Sequence, residues 1–279
     1  MSRVEAQAKR KKEKKGGIGA WIYRIIILIL LGVMLFSGYN IWRIYSEYEE
    51  GKVIYEDLAD DVGAGKLTGI DNSRLHLDWT GLQEKNKDVC AWIRCKDTAL
   101  NYPIVSGENW DSAPAYNDHY LVTTITGENN GKGTLFVDHS CDNPFKSFLT
   151  IIYGHRMKDG SMFKLLTEYF GDTGPAYYEK HPTFELYTPK KNFDIHIFAC
   201  AKVDETDTSI YKYNFLDAWG EVDEEAKQAY LDRIKEVDQF MANPDVEVTP
   251  QDLIVMMSTC TAELDDYRLV VWGKLVPVD

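Results

Sequence analysis

The chain has 279 residues, of which 44% are hydrophobic and 13% aromatic, enough to bury a sizeable core in one globular domain. Its formal net charge is −13, but the first 24 residues carry eight Lys and Arg against two Glu, a net +6, so the remainder carries −13 − 6 = −19. This acidic body excludes a nucleic-acid-binding surface, because phosphate contacts need clustered Lys and Arg.

The first predicted element is an apolar segment without charge, residues 25–42, which follows a basic segment at residues 1–24. Eighteen residues at about 1.5 Å each span about 27 Å, close to the thickness of a bilayer's hydrocarbon core. Lys and Arg on the N-terminal side predict that this end is cytoplasmic and the acidic body extracytoplasmic. A cleavable signal peptide is the alternative, but no A-x-A-like cleavage site is present. A buried core helix is a second alternative, but a dense basic segment is not expected beside a helix in a protein interior.

The next segment, residues 43–74, is predicted to be a membrane-proximal helix followed by a linker. Residues 46–62 are acidic and helical in pattern, and the sequence GAGKLTGIDNS then introduces glycines and turn-forming residues. We expect the globular domain to occupy residues 75–279.

Eight apolar and β-branched runs separated by turn residues follow within this domain. They favour a sheet-rich fold, most simply a barrel or a sandwich. In chain order the runs are VCAWIRC, YPIV, GTLFVD, LTIIYGH, TFELYT, FDIHIFACAKV, DLIVMMSTC and RLVVWGKLV.

A long interruption between the sixth and seventh runs, residues 205–250, contains an amphipathic pattern. Apolar residues recur there at spacings of three and four, which predicts a helix. One interpretation is a helix that covers the barrel, and the other is an insertion that walls a substrate groove. The apolar positions are Val222, Ala226, Tyr230, Ile234, Val237 and Met241.

The five cysteines include one candidate nucleophile. An odd number cannot all pair, and an unpaired cysteine outside the cytoplasm suggests a reactive thiol. Cys260 ends the buried run DLIVMMSTC, just where the strand turns polar, so a ligand can reach this position. We expect the other four to be structural; they are Cys90, Cys95, Cys141 and Cys200.

Arg268 begins the run that follows Cys260, and the connection TAELDDY suits a hairpin loop. Cys260 and Arg268 are therefore expected to be neighbours on adjacent strands. An alternative role for Arg268 is a surface ion pair with Asp265 or Asp266.

A cysteine nucleophile needs activation, because only the thiolate attacks and an ordinary thiol is mostly protonated at neutral pH. Of the six histidines, His155 is the leading candidate, since it ends the run LTIIYGH beside Gly154 and a polar turn. His139 in FVDHSC is the main rival. His119 is expected in a polar loop, and His196 is explained by a strand face.

Together these motifs resemble the sortase family. The resemblance rests on Ser258-Thr259-Cys260, on Arg268 eight positions later, and on YGHRM upstream. IIYGHRMKDGSMF, DVCAWI, NYPIV and the helical insertion resemble class B in particular, over residues 78–276. One departure is Met256 and Met257, where the family often has Thr-Leu.

The resemblance implies a mainly β fold with helices (α+β), a closed eight-stranded barrel with a long helix in the loop before the cysteine strand. It implies a cysteine transpeptidase in which Cys260 is the nucleophile, His155 the acid and base, and Arg268 the oxyanion stabiliser. The substrate is then a secreted protein whose sorting signal is cleaved after Thr, and the acceptor is an amine of a peptidoglycan precursor or crossbridge. Ser258 and Thr259 are predicted to line the groove, although ordinary strand-end polarity also explains them.

No metal cluster, phosphate loop or dinucleotide motif is evident, so no cofactor is expected. Two other enzyme classes fit poorly: papain-like proteases have their cysteine before their histidine, and L,D-transpeptidases have a cysteine in S-H-G-C. A membrane-anchored cysteine protease and a non-catalytic surface binding module remain as alternatives.

Overall fold

The computed structural model describes residues 18–65, 74–107, 113–141, 143–211, 214–242, 244–260 and 266–278. The basic segment before residue 18, most of the expected linker and residues 261–265 of the loop after Cys260 lie outside these ranges. The chain divides between Glu49 and Glu50 into two compact units.

The first unit contains most of a long helix, α1 (Ile18–Asp61). Within the described residues it is the one helix long and apolar enough to cross a membrane, by length and composition. Its apolar side chains between Trp21 and Ile44 are largely exposed. This pattern suits a helix whose solvent is lipid.

The second unit is built around a closed barrel of eight strands. The strands are β1 (Val89–Arg94), β2 (Asn101–Val105), β3 (Leu135–Val137), β4 (Leu149–Tyr153), β5 (Thr183–Tyr187), β6 (Asn192–Asp204), β7 (Leu253–Cys260) and β8 (Tyr267–Val278). Their order around the barrel is β1-β2-β3-β4-β7-β8-β6-β5. The pairs β2/β3 and β4/β7 are parallel and the rest are antiparallel. All eight predicted runs form strands, which confirms the barrel.

The barrel core explains why these sequences form strands. β4 is apolar along almost its whole length and buried except at Tyr153, as expected for a strand that is covered on both faces. β6 alternates, with Phe193, Ile195 and Ile197 buried between half-exposed residues. Trp92 and Trp272 are fully buried.

Helices cover the barrel from outside. They are α2 (Trp79–Lys85), α3 (Ala113–Val122), α4 (Gly174–Lys180) and α5 (Glu224–Val237), with a 3-10 helix at Phe163–Tyr169. His119 lies in α3 rather than in the expected polar loop, because the sequence APAYNDHYLV has no glycine or internal break.

The predicted long helix before the cysteine strand is confirmed as α5. Asp223 caps it by accepting a hydrogen bond from the backbone N of Ala226 (2.8 Å). Tyr230 and Ile234 are buried as the periodicity predicts, whereas Val222 and Met241 fall outside the helix and are exposed. The Tyr230 hydroxyl donates to Ile210 O (2.9 Å) and accepts from Trp272 Nε1 (3.3 Å). The covering role is therefore observed.

The end of α1 belongs to the barrel unit by packing. Tyr55, Leu58 and Ala59 are buried. The Tyr55 hydroxyl donates a hydrogen bond to Gly133 O at 2.5 Å and lies 2.9 Å from Thr134 Oγ1. Residues 50–61 thus pack against the loop before β3 and stabilise it.

Candidate active site

The parallel pair β4/β7 sets the positions of His155 and Cys260. Their register runs from Leu149 opposite Ile254 to Tyr153 opposite Ser258. Gly154 N then donates to Ser258 O at 3.1 Å. His155 and Cys260 each lie two residues beyond the last pair, so the backbone brings them to the same end of the barrel.

Strand β8 adds Arg268 to this end. Cys260 and Arg268 form the last registered pair of the antiparallel strands β7 and β8. The backbones of Cys260 and Arg268 are therefore neighbours, as the sequence predicted. The side chain of Cys260 lies outside what the structure describes, so the positions of His155 and Arg268 define the site.

His155 is fixed by a hydrogen bond from its ring. Nε2 lies 2.7 Å from the carbonyl O of Leu121 in α3. Because a carbonyl can only accept, Nε2 carries a proton and donates it, which leaves Nδ1 as the nitrogen for proton transfer. The backbone is held as well, since Phe163 N donates to His155 O at 2.9 Å.

Gly154 is required by packing. A Cβ at this position would collide with the side chain of Leu135 and lie 2.7 Å from Phe163 Cδ2. Its φ is not in the left-handed region, so the role expected for it, a bend in the backbone, is not the main reason for glycine here. Because Gly154 has no side chain, Leu135 of β3 and Phe163 of the 3-10 helix can pack against the backbone next to His155.

The turn after His155 is anchored by a buried lysine that the sequence did not single out. Lys132 is 1% exposed, and its Nζ donates to Asp159 Oδ2 at 2.7 Å and to Ser161 Oγ at 2.8 Å. Burial opposes ionisation, but hydrogen bonds from Lys132 and Ser161 outweigh it and lower the pKa of Asp159. This network ties the turn to the loop before β3, which α1 also contacts.

Arg268 pairs with a carboxylate that the sequence did not indicate. Its Nη2 contacts Glu205 Oε2, and its Nη1 donates to Tyr267 O at 3.3 Å. Glu205 follows β6, and its backbone N donates to Asp266 O at 3.0 Å. Glu205 reaches Arg268 because β6 and β8 are adjacent although far apart in sequence. Of the two partners considered in the alternative role for Arg268, Asp265 lies outside the described residues.

His139 lies elsewhere. It follows β3, and β3 runs antiparallel to β4, so it lies toward the start of β4 while His155 follows its end. Its Nδ1 is 2.8 Å from Ser140 Oγ. Topology therefore separates this rival from Cys260.

Ser258 and Thr259 have different surroundings, although both side chains are buried. Strand alternation puts positions 258 and 260 on one face and 259 on the other. Ser258 Oγ lies 3.0 Å from the hydroxyl of Tyr211, which stacks on Tyr153. Thr259 Oγ1 has no hydrogen-bond partner within the described structure.

The four other cysteines form no disulfide with one another. Burial raises the pKa of the Cys95 thiol to about 12 and also raises the pKa of the Cys200 thiol. Since only a thiolate is nucleophilic, a raised pKa lowers the reactivity of these two thiols at neutral pH. This agrees with the expectation that they are structural.

Comparison with known proteins identifies the family. The pattern that defines the sortase domain matches residues 93–276. The chain belongs to the sortase family. This sortase is 32% identical over 263 residues to sortase B of Listeria monocytogenes, covering 93% of the chain and 98% of the relative.

Solved structures agree with this assignment. A Staphylococcus aureus sortase B–substrate complex superposes with a TM-score of 0.66 at 26% identity, covering 84% of this chain and 100% of that one. Sortase B of Bacillus anthracis in complex with AAEK1 gives a TM-score of 0.67 at 28% identity, covering 84% and 100%. Like other sortases, this chain is a cysteine transpeptidase, and it resembles class B as its motifs predicted.

Proposed function

We propose that this sortase cleaves the C-terminal sorting signal of a secreted protein after Thr and transfers the protein to an amine of cell-wall peptidoglycan. Strand register is the observation that supports it most directly. It aligns His155, Cys260 and Arg268 at one end of the barrel, although they come from three strands. The S. aureus structure is a sortase B–substrate complex, which supports a substrate site in this fold.

In the first half-reaction, the Cys260 thiolate attacks the Thr carbonyl carbon. Arg268 donates N–H groups to the carbonyl oxygen as it becomes negative, and the substrate must share these donors with Glu205. The C–N bond then breaks, and His155 gives a proton to the leaving amine through Nδ1. A thioester joins the protein to Cys260.

In the second half-reaction, an amine of a peptidoglycan precursor or crossbridge attacks the thioester. His155 accepts the proton that the amine loses, and the Cys260 thiolate leaves. The new amide bond attaches the protein to the wall, and the enzyme returns to its starting state.

Ser258 and Thr259 are proposed to contribute to the groove in different ways. Ser258 shares a face with position 260 and bonds to Tyr211, so it can contact the peptide directly. Thr259 lies on the opposite face, so its contribution comes from its backbone beside the nucleophile. Tyr211 lies in the first part of the insertion that contains α5, which supports the groove-wall interpretation of that insertion.

The apolar part of α1 is proposed as a single membrane anchor, with a cytoplasmic N-terminus and an extracytoplasmic catalytic domain. That domain comprises the predicted residues 75–279 together with the end of α1, which packs in the same unit. The length and exposed apolar surface of α1 support it, and the basic residues before it support the orientation. Such a location places the site where secreted substrates and wall precursors meet.

The test is a transfer assay with the full chain in detergent, a library of sorting peptides and an amine acceptor such as triglycine. We expect a peptide–triglycine product and, without acceptor, a thioester on Cys260 detectable by mass spectrometry. Cys260→Ala should abolish both. Hydrolysis that triglycine cannot divert would indicate a protease instead, and no reaction with any peptide would contradict the proposal.

A further inference from the structure

A cavity of about 560 Å³ opens at the opposite end of the barrel from the candidate active site. Its walls come from the start of β1, the segment before β4 and the turn between β5 and β6. The strand directions place these three segments together, because β4 begins where β1 begins and β5 ends. His155 follows the other end of β4. The cavity is therefore separate from the catalytic residues.

The rim of this cavity is positively charged in a chain whose net charge is −13. Four lysines line it: Lys87, Lys146, Lys190 and Lys191. All four are exposed, and within the described part of the chain none is in an ion pair. Asp88 also lines the cavity, but its carboxylate accepts a hydrogen bond from the Tyr120 hydroxyl at 2.8 Å.

The inner walls are apolar. Phe145 and Phe193 are buried, and both line the cavity with Val89. Phe145 has φ +63°, a conformation that bulky residues rarely adopt. It is held there by its backbone N, which donates to Thr150 Oγ1 at 2.8 Å. Strained backbone that the surroundings enforce is concentrated at binding and catalytic sites.

We propose that this cavity binds a small organic anion with an apolar body, such as an aromatic or aliphatic sulfonate, carboxylate or phosphate. Its volume is within the range of small-molecule sites, which are mostly apolar with a few polar groups that orient the ligand. Phe145 and Phe193 take the apolar body. The lysine ammonium groups, compact positive charges, hold the anionic head at the rim.

Cys90 provides a reporter inside the proposed site. Cys90 lines the cavity and is half-exposed, and its thiol donates to Ile104 O at 3.4 Å. A ligand in the cavity blocks access to this thiol.

The experiment measures the rate at which N-ethylmaleimide alkylates Cys90 in the full chain in neutral detergent. Mass spectrometry of the Cys90 peptide gives this rate. The probe is 8-anilinonaphthalene-1-sulfonate, and the uncharged N-phenyl-1-naphthylamine is its matched control.

We expect the sulfonate to slow alkylation of Cys90 saturably, by about tenfold or more at saturation, and the uncharged compound to protect much less. The double variant Lys190→Glu/Lys191→Glu should weaken protection by about tenfold, since two attractive charges become repulsive. The turn itself should persist, because Thr188 Oγ1 holds it through the backbone of Lys191.

The matched charge control is Lys180→Glu/Lys235→Glu, which reverses two exposed lysines on α4 and α5. Protection by the sulfonate should be unchanged there. Equal protection in wild type and Lys190→Glu/Lys191→Glu would overturn the proposal, as would no protection at any sulfonate concentration. If the uncharged compound protected Cys90 as well as the sulfonate does, the anionic head would not contribute to binding, and the proposal would be refuted.

Discussion

At the scale of single residues, the hydrogen bond from His155 to Leu121 O decides which ring nitrogen can react. Nε2 donates to this carbonyl, so Nδ1 is the ring nitrogen available for the acid and base role proposed for His155. The partner is a backbone carbonyl, which no side-chain substitution removes. The orientation of the imidazole therefore depends on the position of α3.

His155→Gln tests the acid and base role of His155 while keeping a hydrogen-bond donor to Leu121 O. The Gln amide can still donate to Leu121 O, but it has no group that replaces Nδ1 as acid and base. We expect transfer activity to fall by about 10² to 10⁴ with an unchanged melting temperature, measured by peptide transfer and by thermal denaturation. Retention of more than about a tenth of the activity would contradict the role of His155.

Arg268→Lys tests the planar donor geometry of the guanidinium. The charge stays, but the fork of N–H donors is lost, and kcat should drop by about 10² to 10³. Arg233→Lys is the matched control, since Arg233 pairs with Asp207 and Glu236 on the surface. A similar kcat in both variants would assign Arg268 to a structural ion pair with Glu205.

At the scale of elements, the turn after His155 is held in place by Lys132, Asp159 and Ser161. Lys132→Met keeps much of the volume but removes the donor, leaving Asp159 without its cation. We expect a loss of about 1.5 to 3 kcal/mol in the free energy of unfolding at pH 7, together with reduced activity. Lys158→Met, an exposed neighbour in the same turn, is the control and should be near neutral.

The pH dependence of this loss follows from the lowered pKa of Asp159. A carboxylate with a lowered folded pKa stabilises the fold fully above its unfolded pKa of about 3.9, and this contribution is lost as pH falls through the folded value. The difference between wild type and Lys132→Met should therefore shrink below about pH 4. Urea unfolding at pH 7 and pH 3 measures it, and a constant difference would exclude the charged pair as its cause.

Much of the fold was predictable because strand propensity is local. Each of the eight runs carries its own apolar pattern, and each forms a strand. The helix α3 was missed because its sequence is short and its apolar residues show almost no helical periodicity. Lys132 was missed for a different reason: nothing in GKGTL indicates that this lysine is buried, since its partner Asp159 comes from another loop.

The candidate site was predictable where sequence neighbours are also strand neighbours. Cys260 and Arg268 are joined by one hairpin, so their proximity follows from the sequence. Glu205 was not predictable, because it reaches Arg268 only through the pairing of β6 with β8. His155 could be singled out from His139 by resemblance, and the antiparallel β3/β4 pair gives the physical reason.

At the scale of the whole molecule, the end of α1 is structurally part of the catalytic unit. A chain that starts at residue 50 keeps Tyr55, Leu58 and Ala59, whereas one that starts at residue 63 loses them. We expect the shorter chain to be less stable by more than about 3 kcal/mol, because buried apolar side chains and the Tyr55 bond are removed.

Thermal denaturation of the two truncated chains measures this difference. The chain starting at residue 50 is the control and should melt like the catalytic unit of the full chain. Equal melting temperatures would mean that residues 50–62 contribute nothing to the barrel.

The parallel pairing of β4 and β7 also has a consequence for how the enzyme comes into being. His155 and Cys260 meet only when strands that are far apart in sequence have paired, and such long-range contacts form late in folding. Arg268 can reach Cys260 through the local β7/β8 hairpin, but His155 is held at the same end of the barrel only once β4 has paired with β7. With the roles proposed for these residues, closure of the barrel is therefore the step that completes the site.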